Sequence, residues 1–278
     1  MKRALQTVAA ALAAILCFCA VFAVAELAVP HIGAAGRKYM NTIEFNNKEN
    51  VKMIAHRGLS GLELENTALA FEAAGSRSYY GIESDVHVTK DNQFIIFHDD
   101  DLTRLAGVNK VVEESTFDEL RATPLKERDG STNENLYMPS LDEYLEICKK
   151  YDKQAILELK NEMAQEHVFA IADAVQSAGW MERTTFISFS GENLVRLRAR
   201  YETADAQYLT EECSNEEIAF MIEHNFDADL SWRCVTKEKV DTLHKAGLKV
   251  NCWTVNSVTV AALMKACGVD MITTNILE

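Results

Sequence analysis

From Val51 onward, short apolar segments alternate regularly with amphipathic helical patterns. This alternation limits the class of fold that the chain can adopt. Strands that are separated by helices in this way lie parallel in one sheet. The predicted strands span residues 51–58, 81–88, 154–160, 184–190, 205–210, 227–233, 249–255 and 270–275, with 93–99 as an extension of the second unit. The predicted helices between the later strands span residues 166–180, 191–200, 215–225, 236–247 and 258–268.

Eight strand–helix units predict an α/β protein with a closed (β/α)8 architecture, a TIM barrel. A chain of 278 residues is long enough for one such domain, which we expect to span residues 51–278. The functional side chains of these barrels lie at the C-terminal ends of the strands. The segment 107–139 departs from the rhythm, and we expect a short helix at 115–120 and a polar loop at 126–138 over the barrel mouth.

The first 25 residues differ in composition from the rest of the chain. After Lys2 and Arg3, an apolar run from Val8 to Ala25 is about long enough to cross a bilayer as a hydrophobic helix. Residues 1–25 are therefore expected to be either a signal peptide, cut after a small-x-small triplet that ends at Ala25, or an uncleaved membrane anchor.

Both alternatives place the barrel on the same side of the membrane. Because the positive-inside rule keeps Lys2 and Arg3 in the cytoplasm, we expect an extracytoplasmic protein, either secreted or anchored to the cell membrane by residues 4–29. Residues 26–50 are expected to link this segment to the barrel.

The charge balance disfavours two classes of partner. The chain has 42 acidic and 28 basic residues, a formal net charge of -14. A protein this acidic is not expected to bind nucleic acid or an anionic membrane through a basic face. Any anionic substrate would need local positive charge, either from a metal ion or from particular Arg and Lys side chains.

Charged residues occupy one face of two predicted strands. Alternate side chains of a strand share a face, so Glu83, Asp85 and His87 point together, as do Glu158 and Lys160. Three carboxylates facing the barrel interior suit one hard divalent cation, Ca²⁺ or Mg²⁺. A salt-bridge cluster of these carboxylates with Lys160 and Arg57, or a glycosidase carboxylate pair, fits the same spacing.

Two histidines give this acidic cluster a second chemical function. His56 and His98 each end an apolar strand and precede a charged residue, which suggests equivalent positions. A histidine pair can remove one proton and deliver another near neutral pH. Arg57 and Lys160 could then hold an anionic phosphate.

Five short motifs occur in a fixed order: "HRG" at 56–58, "ENT" at 65–67, "ExD" at 83–85, "FHD" at 97–99 and "ELK" at 158–160. Together with "PSLDEYLE" at 139–146 and "WTVN" at 253–256, this order resembles the glycerophosphodiester phosphodiesterases from Val51 to about Asn275. The resemblance implies a TIM barrel that hydrolyses glycerophosphodiesters to sn-glycerol 3-phosphate and an alcohol.

The resemblance also implies a role for each site residue. His56 and His98 would be the general acid/base pair, and Glu83, Asp85 and Glu158 would bind the divalent cation. Substrate contacts would come from four further residues: Arg57 and Lys160 on the phosphate, Glu65 as a polar support near the metal, and Trp253 against the glycerol. In the family's proposed route the neighbouring glycerol hydroxyl attacks phosphorus, and water then opens a cyclic phosphate.

The sequence departs from the family pattern at two of these motifs. Leu64 precedes "ENT" where proline is usual, and Asn275 stands where aspartate is common. Only three residues follow Asn275 in place of the usual closing helix, which leaves the last seam of the barrel as the least certain part of the fold. Two other functions fit the same barrel: a lysophospholipase D or other lipid-directed phosphodiesterase, and a non-catalytic binding barrel.

Overall fold

The computed structural model describes residues 41–46, 48–127, 129–133 and 136–278. The predicted signal peptide or anchor over residues 1–25 and the anchor over 4–29 lie outside the described residues, and the predicted linker 26–50 enters them only from residue 41. Among the described residues, no helix has the length and apolar character needed to span a membrane.

Eight parallel strands close into a barrel, as the sequence predicts. The strands in chain order are β1 (Lys52–Ala55), β2 (Gly81–Val88), β3 (Phe94–Ile96), β4 (Leu125–Lys126), β5 (Thr132–Asn133), β6 (Gln154–Leu159), β7 (Thr184–Ser188), β8 (Asp205–Thr210), β9 (Asp227–Ser231), β10 (Val250–Trp253) and β11 (Met271–Thr274). Around the barrel the order is β1, β11, β10, β9, β8, β7, β6, β2 and back to β1, so the protein has the (β/α)8 fold.

Helices surround the barrel. They are α1 (Ala68–Gly75), α2 (Thr103–Ala106), α3 (Phe117–Arg121), α4 (Leu141–Lys150), α5 (Gln165–Ser177), α6 (Gly191–Arg200), α7 (Asn215–His224), α8 (Lys237–Lys245) and α9 (Val258–Cys267). Local sequence fixes several of their ends. Ser140 and Glu143 form a capping box at the start of α4, and Gly268 ends α9 with a left-handed backbone at φ 95°.

Alternate side chains of the strands fill the barrel interior. Five apolar ones form one buried cluster: Ile54, Ile156, Ile187, Leu209 and Met271. Buried polar pairs share the interior, since Gln154 donates to Thr185 and Asn251 donates to Thr273. In barrels of this type the functional groups lie at the C-terminal ends of the strands.

The seam between the first and last strands is complete. β1 and β11 pair over four residues, from Lys52 opposite Met271 to Ala55 opposite Thr274. Beyond β11 the chain pairs with the segment before β1, because Ile43 forms a bridge with Leu277. Ile276 and Leu277 are fully buried, so the residues after β11 contribute to the core.

The segment between β3 and α4, residues 97–140, contains α2, α3 and the antiparallel β4–β5 hairpin. The helix α3 corresponds to the short helix expected at 115–120, whereas part of the polar loop expected at 126–138 forms the hairpin. Eleven buried side chains, from Leu64 to Met138, build a separate hydrophobic cluster around this segment, with Leu102, Leu120 and Leu125 fully buried. The apolar positions are spread among polar residues, which concealed this second core in the sequence.

Candidate active site

A cavity of about 220 Å³ opens at the C-terminal ends of the barrel strands. Six of the nine predicted site residues line it: His56, Arg57, Glu83, His98, Glu158 and Trp253. The other three contact this set, because Asp85 and Lys160 pair with lining residues and Glu65 binds Arg57. The structure therefore brings all nine predicted residues to one place.

Glu83, Asp85 and Glu158 form the floor of one side of the cavity. They come from the neighbouring strands β2 and β6, where Asp85 lies opposite Glu158. Carboxylate oxygens of the three residues lie within 4.8 Å of one another, and all three side chains are buried. Like charges this close disfavour full ionisation unless cations neutralise them.

The protein supplies two of those cations. Lys160 Nζ lies 2.9 Å from Glu158 Oε1 and 3.5 Å from Asp85 Oδ1, and Arg57 Nε lies 3.7 Å from Asp85 Oδ2. These ion pairs agree with the alternative of a salt-bridge cluster between the carboxylates and the side chains of Lys160 and Arg57. They do not exclude a metal, because Asp85 Oδ1 is buried without a hydrogen-bond partner and is available as a ligand.

The pKa values of the three acids diverge. Burial opposes ionisation of Asp85, but the charges of Arg57 and Lys160 hold its pKa below the ordinary value. Burial and the Asp85 carboxylate raise the pKa of Glu158 to about 7, and the same two causes raise the pKa of Glu83 well above its ordinary value. A divalent cation would relieve this repulsion, so three buried oxygen donors fit Ca²⁺ or Mg²⁺.

His56 is oriented by Asn275, the residue that stands where aspartate is common in the family pattern. His56 Nδ1 lies 2.7 Å from Asn275 Oδ1, which also accepts a hydrogen bond from Ser60 Oγ. Because an amide oxygen only accepts, Nδ1 carries the proton and Nε2, 3.9 Å from Glu83 Oε2, carries the lone pair. Burial, followed by the charge of Arg57, lowers the pKa of His56 to about 3.

His98 reaches the cavity by a different route from the one expected. The sequence suggested that His56 and His98 end equivalent strands, but β3 runs antiparallel to β2, with Phe94 opposite Val88. His98 therefore follows a hairpin strand that returns toward the site. Its Nδ1 lies 2.8 Å from Asp99 Oδ1, so the "HD" pair forms a local hydrogen bond.

Glu65 connects the phosphate-binding candidates to the histidine side of the cavity. Its carboxylate accepts hydrogen bonds from Arg57 and from Arg104, and Arg104 also donates to Asp99. Although burial favours the neutral acid, these two guanidinium groups lower the pKa of Glu65 to about 2. Arg104 was missed in the sequence because its position on the short helix α2 resembles ordinary surface charge.

Asn66 is a second residue that the motif contained but the sequence analysis left without a role. Its Nδ2 donates to Asp85 Oδ2 at 2.8 Å, and its Oδ1 accepts from Ser84 Oγ at 3.0 Å. Asn66 is buried and has φ 53°, a backbone conformation that asparagine tolerates well. The amide therefore fixes the orientation of one carboxylate of the acidic cluster.

The opposite wall of the cavity is apolar. Trp253 meets Phe189 edge to face, with ring centroids 5.6 Å apart, and Ile187 and Leu209 lie beside them. Asp229 also lines the cavity, and burial raises the pKa of its carboxyl group to about 8. Asp229 was missed in the sequence, since one acidic residue in a strand does not show which way its side chain faces.

The four remaining described histidines lie in contacts other than this cavity. Buried His87 binds Glu113 through Nδ1 at 3.0 Å, and His244 binds Asp270 at 2.9 Å. His167 lies 3.1 Å from Asn92, and His224 stacks on Phe226. These contacts give the four histidines structural or surface positions.

Comparison with known families identifies the barrel. The model of the glycerophosphoryl diester phosphodiesterase family matches residues 56–278, which is most of the chain. The chain belongs to this family. It is therefore a phosphodiester hydrolase with the (β/α)8 fold, and the resemblance inferred from the motifs is confirmed.

Relatives of this phosphodiesterase cover nearly the same barrel. A glycerophosphodiester phosphodiesterase of Bacillus altitudinis is 27% identical, over 81% of this chain and 94% of its own length. The crystal structure of a glycerophosphodiester phosphodiesterase from Parabacteroides distasonis is 28% identical, has a TM-score of 0.67, and aligns over 81% of this chain and 93% of that one.

A third relative was solved with a bound product. An Oleispira antarctica phosphodiesterase in complex with sn-glycerol-3-phosphate has a TM-score of 0.74 to this chain, with 84% of this chain and 96% of that chain covered. At 22% identity, this likeness shows the shared barrel fold.

Proposed function

We propose that this phosphodiesterase hydrolyses glycerophosphodiesters to sn-glycerol 3-phosphate and an alcohol, with one divalent cation bound by Glu83, Asp85 and Glu158. The observation that carries the proposal is the meeting of these carboxylates, within 4.8 Å of one another, with both histidines around one cavity. The product bound to the Oleispira relative supports the same substrate class.

The phosphate of the substrate belongs at the charged end of the cavity. Arg57 and Lys160 lie beside the acidic cluster and can neutralise phosphate oxygens, with the guanidinium able to bind two at once. A cation held by the three carboxylates would polarise the phosphoryl group and stabilise the charge that develops in the transition state. Glu65 holds Arg57 in place for this contact through a 2.7 Å hydrogen bond.

The two histidines divide the proton transfers. His56 Nδ1–H donates a hydrogen bond to Asn275 Oδ1. The Nε2 lone pair of His56 can therefore accept the proton of the attacking 2-hydroxyl of glycerol. His98, held by Asp99, donates a proton to the departing alcohol. Attack by the 2-hydroxyl forms a cyclic phosphate and breaks the bond to the alcohol, and water then opens the ring with the roles of the histidines reversed.

Histidine substitution tests the proposed function most simply. His56→Ala and His98→Ala should each lower kcat on glycerophosphocholine by at least about 100-fold, because each removes a proton-transfer group. His167→Ala is the matched control, since this histidine binds Asn92 away from the cavity and should leave the rate unchanged. Unchanged turnover in His56→Ala, with the fold intact by circular dichroism, would overturn the assignment.

The route through a cyclic phosphate has its own test. A 2-deoxy analogue of glycerophosphocholine lacks the attacking hydroxyl, so it should bind but not react. Phosphorus NMR during turnover of glycerophosphocholine should detect the cyclic intermediate. Turnover of the deoxy analogue at the normal rate would exclude this route while leaving hydrolysis by direct attack of water.

We also infer from the apolar run in residues 8–25 that the protein acts outside the cytoplasm. Cell fractionation, combined with the mass of the mature chain, distinguishes a secreted form that begins at Glu26 from an anchored form. Recovery of uncleaved chain in the cytoplasmic fraction would contradict export.

A further inference from the structure

Asp229 is a buried acid for which the proposed mechanism has no use. It lies on β9, opposite Leu209 of β8 and Asn251 of β10, and only 2% of its surface is exposed. It nevertheless lines the same cavity as the histidines and the acidic cluster. Its backbone oxygen accepts a hydrogen bond from Trp253 Nε1 at 3.2 Å, so Asp229 lies next to the apolar wall of the pocket.

The carboxyl group of Asp229 is incompletely satisfied by the protein. The side-chain amide of the neighbouring Asn251 is hydrogen-bonded to Thr273, and Asp229 Oδ1 has no hydrogen-bond partner. In the described part of the chain, no lysine or arginine forms an ion pair with it. A buried carboxyl oxygen without a partner destabilises a fold, and natural proteins keep such groups where a ligand completes the contact.

The chemistry of the surroundings indicates what that ligand is. The cations that attract phosphate, Arg57 and Lys160, lie with the acidic cluster. Apart from the acid Glu211, the side chains that line the cavity outside that cluster are mostly apolar or hydroxylic, among them Ile187, Leu209, Trp253 and Thr273. A short carbon chain with a hydroxyl group at its end fits this environment.

We propose that Asp229 is a specificity residue that binds the terminal hydroxyl of the substrate's glycerol, at the end of the pocket away from the phosphate. The inference rests on the proposed function, since it assumes that a glycerophosphodiester occupies this cavity. The 2-hydroxyl is then left between the phosphate and Asp229, where His56 can reach it. A lysophospholipid, whose terminal hydroxyl carries an acyl chain, loses this contact and should be a poor substrate.

The test compares glycerophosphocholine with its 1-deoxy analogue, which keeps the attacking 2-hydroxyl but lacks the terminal one. The wild-type protein should prefer glycerophosphocholine by at least about tenfold in kcat/KM, as expected for loss of a hydrogen bond to a buried acid. Asp229→Ala should lower kcat/KM for glycerophosphocholine by a similar factor and leave the analogue unchanged. Asp229→Asn, which still offers hydrogen-bonding atoms, should retain part of the preference.

Gln207→Leu is the matched control. Gln207 lies on the neighbouring strand β8, is also buried with an unpartnered oxygen, and does not line the cavity. This variant should keep the full preference for glycerophosphocholine.

The outcomes separate this inference from the proposed function. If the wild-type protein hydrolyses glycerophosphocholine but treats the 1-deoxy analogue equally well, the role of Asp229 is wrong while the phosphodiesterase assignment stands. The same holds if Asp229→Ala slows both substrates by the same factor, which indicates only a structural role. Failure of the wild-type protein to hydrolyse either substrate would overturn both.

Discussion

Glu158 couples stability to pH in the metal-free protein. Burial and the Asp85 carboxylate raise the pKa of Glu158 from 4.5 to about 7, so the folded protein holds this proton more tightly than the unfolded chain. The contribution of Glu158 to stability is therefore fully present below the unfolded pKa of 4.5 and is lost as pH rises to about 7. Glu83, whose pKa shifts in the same direction, adds to this contribution. The lowered pKa of His56 acts in the opposite sense, so the effect of Glu158 is read from the difference between the wild-type protein and a Glu158 variant.

Glu158→Gln tests this coupling, because the amide cannot ionise. Urea unfolding after metal removal, at about pH 5 and about pH 8, should show a clear loss of stability in the wild-type protein and a smaller loss in the variant. The opposite dependence, with stability that rises with pH over this window, would show that the cluster is not a source of repulsion.

Asn275 provides a second test, at the residue that orients His56. Asn275→Ala removes the acceptor for His56 Nδ1, so kcat on glycerophosphocholine should fall about tenfold with little change in KM. Asn275→Asp keeps an acceptor oxygen and should retain most of the activity. If Asn275→Ala loses only substrate affinity, the residue acts on binding and not on the histidine.

The segment between β3 and α4 should unfold before the barrel, because it has a hydrophobic cluster of its own. Leu120→Ala removes a fully buried side chain from that cluster and should destabilise it by about 2–5 kcal/mol. His98 lies at the start of this segment, so activity should be lost at a lower urea concentration than the far-UV circular dichroism signal.

Leu197→Ala, at a fully buried position of α6, is the control for that experiment. Its loss of activity and its loss of helix should coincide, since α6 packs on the barrel itself. Coincident transitions in both variants would mean that the segment and the barrel form one cooperative unit.

The sequence predicted the barrel strands well but not the direction of β3. Parallel β strands in a barrel are long apolar runs between helices, and eight such runs are visible. β3 has the same apolar character and the same histidine end as β1, so periodicity cannot show that it turns back along β2. The contacts of Arg104 and Asn66 were equally hidden, because they join residues that are far apart in the sequence, such as Arg104 with Glu65 and Asn66 with Asp85.

Closure of the barrel between β1 and β11 depends on residues after the last strand. Ile276 and Leu277 are fully buried, and backbone hydrogen bonds join this segment to Ile43 and Phe45. Ile276→Ala should therefore lower the free energy of unfolding by about 2–5 kcal/mol, measured by urea denaturation. Leu263→Ala, on α9 with 36% of its surface exposed, should cost less than about 1 kcal/mol.

A small effect of Ile276→Ala would mean that the seam between β1 and β11 is stable without this segment. The sequence left the seam as the least certain part of the barrel, because no closing helix follows β11. Burial of two apolar residues against the start of the barrel is a tertiary contact, which the local pattern of "NILE" cannot show.

Calorimetric titration of the metal-stripped protein with a divalent cation is the sharpest test of a metal centre at the three carboxylates. We expect one ion per chain in the wild-type protein and no measurable binding in Asp85→Asn, whose amide lacks the charge that the site requires. Equal affinity and stoichiometry in the two proteins would contradict a metal centre built from Glu83, Asp85 and Glu158.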